Sequence, residues 1–293
     1  MSEDNTVSAH ITKIKSTFQE ILEYCHSISQ QDAILQHLSG VHEHTRPVAY
    51  EAAAMFFALR DMDASASLYQ WQSFVNKTGD AYATHTFIGL GWAVAQKQIP
   101  LNKLKHTLRL PDRCRVADGC GYYEGLFRHR KAVGLQQYPA YMDTALQKAF
   151  DQGLGRSVWY FSQGDPEKTA HLITLFRADR QDDLWRGVGT AAAFVGGCST
   201  ETLQHLSALA ATFRAQLTTG AAMALKSRTE AGCVTADTVA ACTTLWQLTS
   251  KQIMLLAQRA YQQVADQDDG YFHWITLLEN AFKQNFPHDL QCS

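Results

Sequence analysis

Four ionisable residues of this 293-residue chain stand where their types and spacing could do chemistry: Asp118, Glu124, Asp151 and Arg156. A buried carboxylic acid can give or take a proton, and an arginine beside it can hold an anion or a carbonyl oxygen. Trp92, Tyr122, Trp159 and Trp185, with Gln152 and Arg186, fall at positions from which they could wall a pocket for an apolar molecule. Aromatic faces also stabilise developing positive charge. The chemistry expected of such a set is proton transfer to, or cyclisation of, a hydrophobic polyene or isoprenoid-like molecule.

A glycine pattern is what would bring these residues together. Gly-x-Gly occurs at Gly89/Gly91, Gly119/Gly121, Gly153/Gly155 and Gly187/Gly189, and Gly220 reads as a fifth, weakened copy of the second glycine. The second glycines then lie 30, 34, 34 and 31 residues apart, a period that marks stacked helical hairpins. Three residues before each second glycine come Ile88, Asp118, Gln152 and Arg186; one residue after it come Trp92, Tyr122, Arg156 and Thr190. Positions four apart share a helix face, so neighbouring hairpins should align these side chains as one polar ladder. Two outcomes stay open: a self-satisfied network, such as Asp118 with Arg156 or Arg186, or one wall of a pocket. Glycine inside a helix costs about 1 kcal/mol relative to alanine, which close helix crossing is expected to offset, unless the glycines make room for a ligand against the backbone or end helices instead.

The elements that must position these residues read as helices throughout. Ile11, Ile14, Phe18 and Ile21 mark a first amphipathic helix, Gln31 to Leu38 a short second, and Ala49 to Arg60 a third after a loop at His42 to Pro47. Helices are expected over Leu68 to Val75 and Tyr82 to Gln96, with another opened by Pro100. Each repeat should pair a glycine-bearing helix with an amphipathic partner. The partners are Tyr138 to Phe150, Leu172 to Phe176 after Gly164-Asp165-Pro166, and Leu203 to Phe213 after a cap at Ser199. Val239 to Ala260 reads as one long helix and Tyr271 to Phe282 as the last. Strand signals are missing. The expected fold class is all-α: stacked helical hairpins, of α-solenoid or α/α type, forming one domain over residues 1–293. Its repeat core would span about 80–232, with helices in 7–78 and 235–286 packed on it.

Composition narrows the function classes. A net charge of −2 and a pI near 6.6 give no electrostatic footprint for nucleic acid. The run Arg128-His129-Arg130-Lys131 reads as a solvated helix end, or else as a holder for an anion. Seven cysteines, odd in number and without a Cys-x-x-Cys pair, are expected to be reduced thiols of a cytoplasmic protein, not zinc ligands. Acids at the N-terminus argue against a signal peptide, and no apolar run is long enough to span a membrane. No cofactor is expected. Asp182-Asp183 could hold magnesium, though adjacent acids ahead of a helix read more readily as first-turn caps. Gly-x-Ser-x-Gly, a Walker loop and His-Glu-x-x-His are missing, and the glycine pairs lack the third glycine and preceding strand of dinucleotide binding. The expected partner is a hydrophobic small molecule, with homo-oligomerisation open.

Three blocks carry a family resemblance: Asp118-Gly119-Cys120-Gly121-Tyr122-Tyr123-Glu124-Gly125-Leu126-Phe127, the run Phe150 to Phe161, and Asp183 to Gly189. Together they resemble the DUF1702 family, over roughly Tyr50 to Phe286. The resemblance implies a bacterial protein of secondary metabolism, of a kind often encoded in enediyne gene clusters beside a polyene-making polyketide synthase. It carries over no catalytic residue, and Tyr123 stands where relatives often have histidine. Two functions follow as expectations: an enzyme that cyclises or tailors a hydrophobic intermediate, or a non-catalytic helical-repeat protein that binds or shields one.

Overall fold

Glycine and alanine, not leucine, meet wherever the central helices of this protein touch. The structure is a computed structural model that describes residues 4–64, 67–264, 267 and 269–285. Among these, six helices stand side by side, each against the next in chain order: α3 (Arg46–Ala64), α5 (Ala83–Lys97), α6 (Leu110–Phe127), α7 (Gln147–Phe161), α9 (Ala178–Val195) and α11 (Arg214–Glu230). The first glycine of each pair rests on a carbonyl of the preceding helix: Gly119 on Ile88, Gly153 on Asp118, Gly187 on Gln152. The second rests on the following helix: Gly91 on Val116, Gly121 on Phe150, Gly155 on Leu184, Gly189 on Leu217. A Cβ at any of these positions would overlap a backbone oxygen. Removing it lets two backbones approach more closely than larger side chains would allow, which is the gain that offsets glycine's poor helix propensity.

These contacts correct the register. Gly220 rests on Arg186, so it holds the first-glycine place and Ala222 the second. The first glycines 89, 119, 153, 187 and 220 are then spaced by 30, 34, 34 and 33 residues. Gly89 in turn rests on the Glu51 carbonyl, beside Ala54 and Met55. Helix α3 therefore occupies the corresponding place in the row, with Ala52 and Ala54 where its neighbours carry glycine. The ladder accordingly begins with Glu51 and Met55, one helix earlier than the glycines announce.

The row does not run on as an open superhelix; its ends meet. Arg228 on α11 donates to the carbonyls of Phe194 and of His44, just ahead of α3, and the Tyr82 hydroxyl donates to the Ala231 carbonyl. These contacts join the two ends of the row around a common interior. Helices α8 (Pro166–Thr174), α10 (Thr200–Ala210) and α12 (Ala236–Trp246) form a second layer against α7, α9 and α11. Helix α1 (Asp4–Ile28) lies along α3 and reaches α9, while α2 (Gln31–Ser39) and α4 (Tyr69–Thr78) flank α3. Helices α13 (Ser250–Gln262) and α14 (Gly270–Asn285) pack on α11, α14 reaching across to α6. The described residues form one all-α domain without a strand, and none of their helices is long and apolar enough to cross a membrane.

Local chemistry explains the boundaries. Asp165 and Ser199 cap α8 and α10 by accepting from the N–H of Lys168 and Thr202. Val239 to Ala260 is two helices, not one: α12 ends at a left-handed Gln247 (φ 51°), and a Thr249/Gln252 capping box starts α13. The partner helix expected over Tyr138 to Phe150 does not form. Residues 138–143 are irregular, Asp143 caps a single 3-10 turn (Thr144–Leu146), and Ala149 and Phe150 belong to α7. Pro100 likewise opens only a 3-10 stretch (Leu101–His106), and α3 begins earlier than expected, with Arg46 and Pro47 in its first turn. Met1, Ser2, Glu3, Phe286 and Cys292 lie outside the described residues.

Gly121→Ala is expected to destabilise the fold by at least about 3 kcal/mol, because its Cβ would collide with the Phe150 carbonyl and neither backbone can yield. Gly134→Ala, where a Cβ meets nothing within 4 Å, serves as the control. Urea unfolding curves that coincide for the two variants would remove the close-crossing argument.

Candidate functional site

Asp118, Gln152 and Arg156 project from neighbouring helices α6 and α7 into the interior and bond to one another. The Arg156 guanidinium donates to Asp118 at 2.6 Å, and the Gln152 amide donates to Asp118 at 2.6 Å and to the Tyr271 hydroxyl of α14 at 3.0 Å. Arg156 also lies 4.5 Å from the centre of the Tyr122 ring. Burial opposes its charge, but Asp118 and then Glu51 outweigh that and raise its pKa. Asp118, Gln152 and Arg156 thus form a ladder between α6 and α7 whose charges pair, while the Gln152 Oε1 and the Arg156 Nε have no partner.

On one side of this pair lies a cavity of about 580 Å³ covered by α1. Its walls include Phe18 and Leu22 of α1, Met55 of α3, Trp92 of α5, Tyr122 of α6 and Phe194 of α9. Phe18 stacks on Trp92 at 4.6 Å, and Trp92 meets Tyr122 edge to face at 5.1 Å. Glu51, fully buried on α3, stands in the wall opposite Arg156. Burial pushes its carboxyl up to about 8; Arg156 opposes this rise, Asp118 adds to it, and the nearby Trp92 indole opposes it more weakly. The Trp92 N–H nonetheless has no partner of hydrogen-bonding geometry. The result is a carboxylic acid that keeps its proton at neutral pH, facing an aromatic, apolar space.

The other predicted residues go elsewhere. Asp151 is buried away from both interior cavities, held by Arg180 and by the Tyr138 hydroxyl at 2.6 Å. Glu124 pairs with Arg128 and accepts from the Tyr141 hydroxyl, in the wall of a different pocket of about 400 Å³. Arg186 is tied to Asp183 and Glu279 instead of entering a cavity. Trp159 and Trp185 are fully buried but line neither interior cavity; Trp159 packs beside Gly164 instead. Asp182 is exposed while Asp183 is buried on Arg186, so the two carboxylates share no site. They sit in the second turn of α9, not the first. Among the described residues, no cluster of His, Cys, Asp and Glu is placed to hold a metal. The pattern thus brings together Asp118, Arg156, Gln152, Tyr122 and Trp92, and misplaces Asp151, Glu124, Arg186, Trp159 and Trp185.

Two interior residues escaped the pattern. Glu51 was hidden because alanines replace its glycines, although a lone glutamate inside Ala49-Tyr50-Glu51-Ala52-Ala53-Ala54 is a signal in itself. His85, on α5, is 2 % exposed with both ring nitrogens unpartnered, and burial, reinforced by Arg228 and Arg156, lowers it to about 3.

These two groups give opposite pH dependences. The folded chain keeps the Glu51 proton between the ordinary 4.5 and about 8, whereas the unfolded chain releases it, so this contribution weakens as pH rises through that window. His85 stays neutral between 6.5 and about 3 where the unfolded chain is protonated, so its contribution weakens as pH falls. Glu51→Gln is therefore expected to gain on the parent from pH 5 to pH 8, by up to about 1.4 kcal/mol per pH unit. His85→Asn should gain toward pH 4. Urea titrations at these pH values read both, and a stability difference independent of pH contradicts the assignment.

No curated protein and no solved structure matches this chain. A family model described as "protein of unknown function (DUF1702)" matches residues 1–282, nearly its whole length and all six helices that build the site. The chain belongs to the DUF1702 family.

Proposed function

We propose that this protein is a natural-product biosynthesis enzyme that takes an apolar polyene or isoprenoid-like molecule into the cavity beneath α1 and cyclises it by proton transfer from Glu51. The observation that carries this reading is a buried carboxyl, its pKa pushed up to about 8 by burial, on an aromatic wall of a 580 Å³ space. In the proposed step the Glu51 proton goes to one carbon of a C=C bond, whose π pair forms the new C–H bond and leaves a cation on the other carbon. A second C=C supplies the pair for ring closure, and loss of a proton to the Glu51 carboxylate restores the acid. The product is an isomer of the substrate and no oxidant is needed. Trp92 and Tyr122 face the developing positive charge. The substrate class is the one that the resemblance to proteins encoded beside polyene-making synthases implies.

Turnover of a linear conjugated polyene in D₂O tests this: the product should carry one deuterium, introduced by the parent and not by Glu51→Gln. A second reading is a carrier that shields such a molecule. It is favoured by the closed Asp118–Arg156 pair, which leaves neither charge free. Recovery of the bound molecule unchanged, without deuterium, decides for the carrier.

A further inference from the structure

On the far side of the Asp118–Arg156 pair a second space, of about 90 Å³, runs outward between α5, α6 and α11 beneath α13 and α14. Its walls include Arg109, whose side chain is 76 % exposed, and the exposed Tyr261, with Lys226 and Glu230. Ile88, Pro111, Met223, Val264 and Trp274 make much of the lining apolar. Buried His85, Gln152 and Arg156 stand among its walls, and each has a stranded polar atom: both ring nitrogens of His85, the Gln152 Oε1 and the Arg156 Nε. These come from two different helices, α5 and α7. The cluster offers at least one N–H donor from Arg156, one acceptor from Gln152, and one of each from a neutral imidazole.

We propose that this shaft is a binding site for a small neutral amphiphile with a terminal hydroxyl, inserted hydroxyl first. The charge balance selects neutrality. An anion would gain little from Arg156, already neutralised at 2.6 Å by Asp118, or from the other cations of the wall, since Arg109 and Arg115 pair with Asp112 and Lys226 with Glu230, and it would face the Asp118 carboxylate and the Gln152 oxygen. A cation would meet Arg156, with Arg228 also acting on His85. A hydrocarbon would leave all the stranded atoms unpaired, which buried polar groups do not tolerate cheaply. A hydroxyl both donates and accepts, and the apolar part of the lining suits an alkyl body better than a file of water. This space shares Arg156 and Phe194 with the Glu51 cavity but is not lined by Glu51, and the proposal does not rest on the reading of that cavity.

Calorimetric titration of the full chain with 1-hexanol, its isomer 1-methoxypentane and hexanoate tests the inference. The ether accepts but cannot donate, and the acid is charged. Hexanol is expected to bind roughly tenfold more tightly than either, the scale of one lost hydrogen bond. His85→Phe should erase that preference, while Glu51→Gln should leave it in place. Equal binding of hexanol and ether, tighter binding of hexanoate, or no binding of hexanol at millimolar concentration each overturns the proposal. The comparison among ligands stands on the parent protein alone, so a variant that fails to fold does not blunt it.

Discussion

Glu51→Gln is expected to lower turnover by about 10²–10⁴-fold while leaving the affinity for an apolar ligand within a factor of two, since the amide keeps the shape of the wall and loses only the transferable proton. The pH profile gives a second readout. An acid held up to about 8 should support a rate that is flat at neutral pH and falls as pH passes that value and the proton leaves. Glu51→Asp should restore part of the rate with a displaced alkaline limb, which a purely structural role would not produce. Steady-state kinetics and ligand binding measured on the same preparations separate the two effects. Parent-like turnover by the glutamine variant would end the assignment of Glu51.

Asp118→Ala is expected to cost about 3–5 kcal/mol, because it strands the Arg156 charge in an interior where both partners are only 5–6 % exposed. Replacing both, as Asp118→Leu with Arg156→Met, should cost much less, since the penalty lies in the uncompensated charge and not in the absence of the pair. The pair also tunes Glu51. Asp118 pushes the Glu51 carboxyl up and Arg156 pulls it down. Asp118→Asn should therefore move the alkaline limb of activity to lower pH, and Arg156→Met to higher pH. Urea unfolding of single and double variants measures the first effect, and rate profiles measure the second. A double variant no more stable than Asp118→Ala would refute the buried pair as described.

Much of this was legible in the residues, and the failures have physical causes. The first glycine of a pair seats on one neighbour and the second on the other, so their spacing carried the order of the row and the meeting of Asp118 with Arg156. Gly220 was read one place out of register because alanine takes the second position there. The same tolerance of a methyl group concealed α3, and with it Glu51. Asp151 and Glu124 lie near the same glycines in sequence, but a helix turns 3.6 residues per revolution. They therefore leave α7 and α6 on other faces, where Arg180 and Arg128 hold them. Trp159 and Trp185 are misassigned for the same reason.

By itself the sequence determined the helical class, the close glycine crossings and the polar ladder between α6 and α7, because periodicity and the lack of a Cβ act between chain neighbours. Only the tertiary structure decided that the row closes on itself, that α1 covers one cavity while α13 and α14 border the other, and that Glu51 faces Arg156. Those relations join residues about a hundred or more positions apart. They depend on the summed curvature of six packed helices, and local spacing contains no measure of that sum.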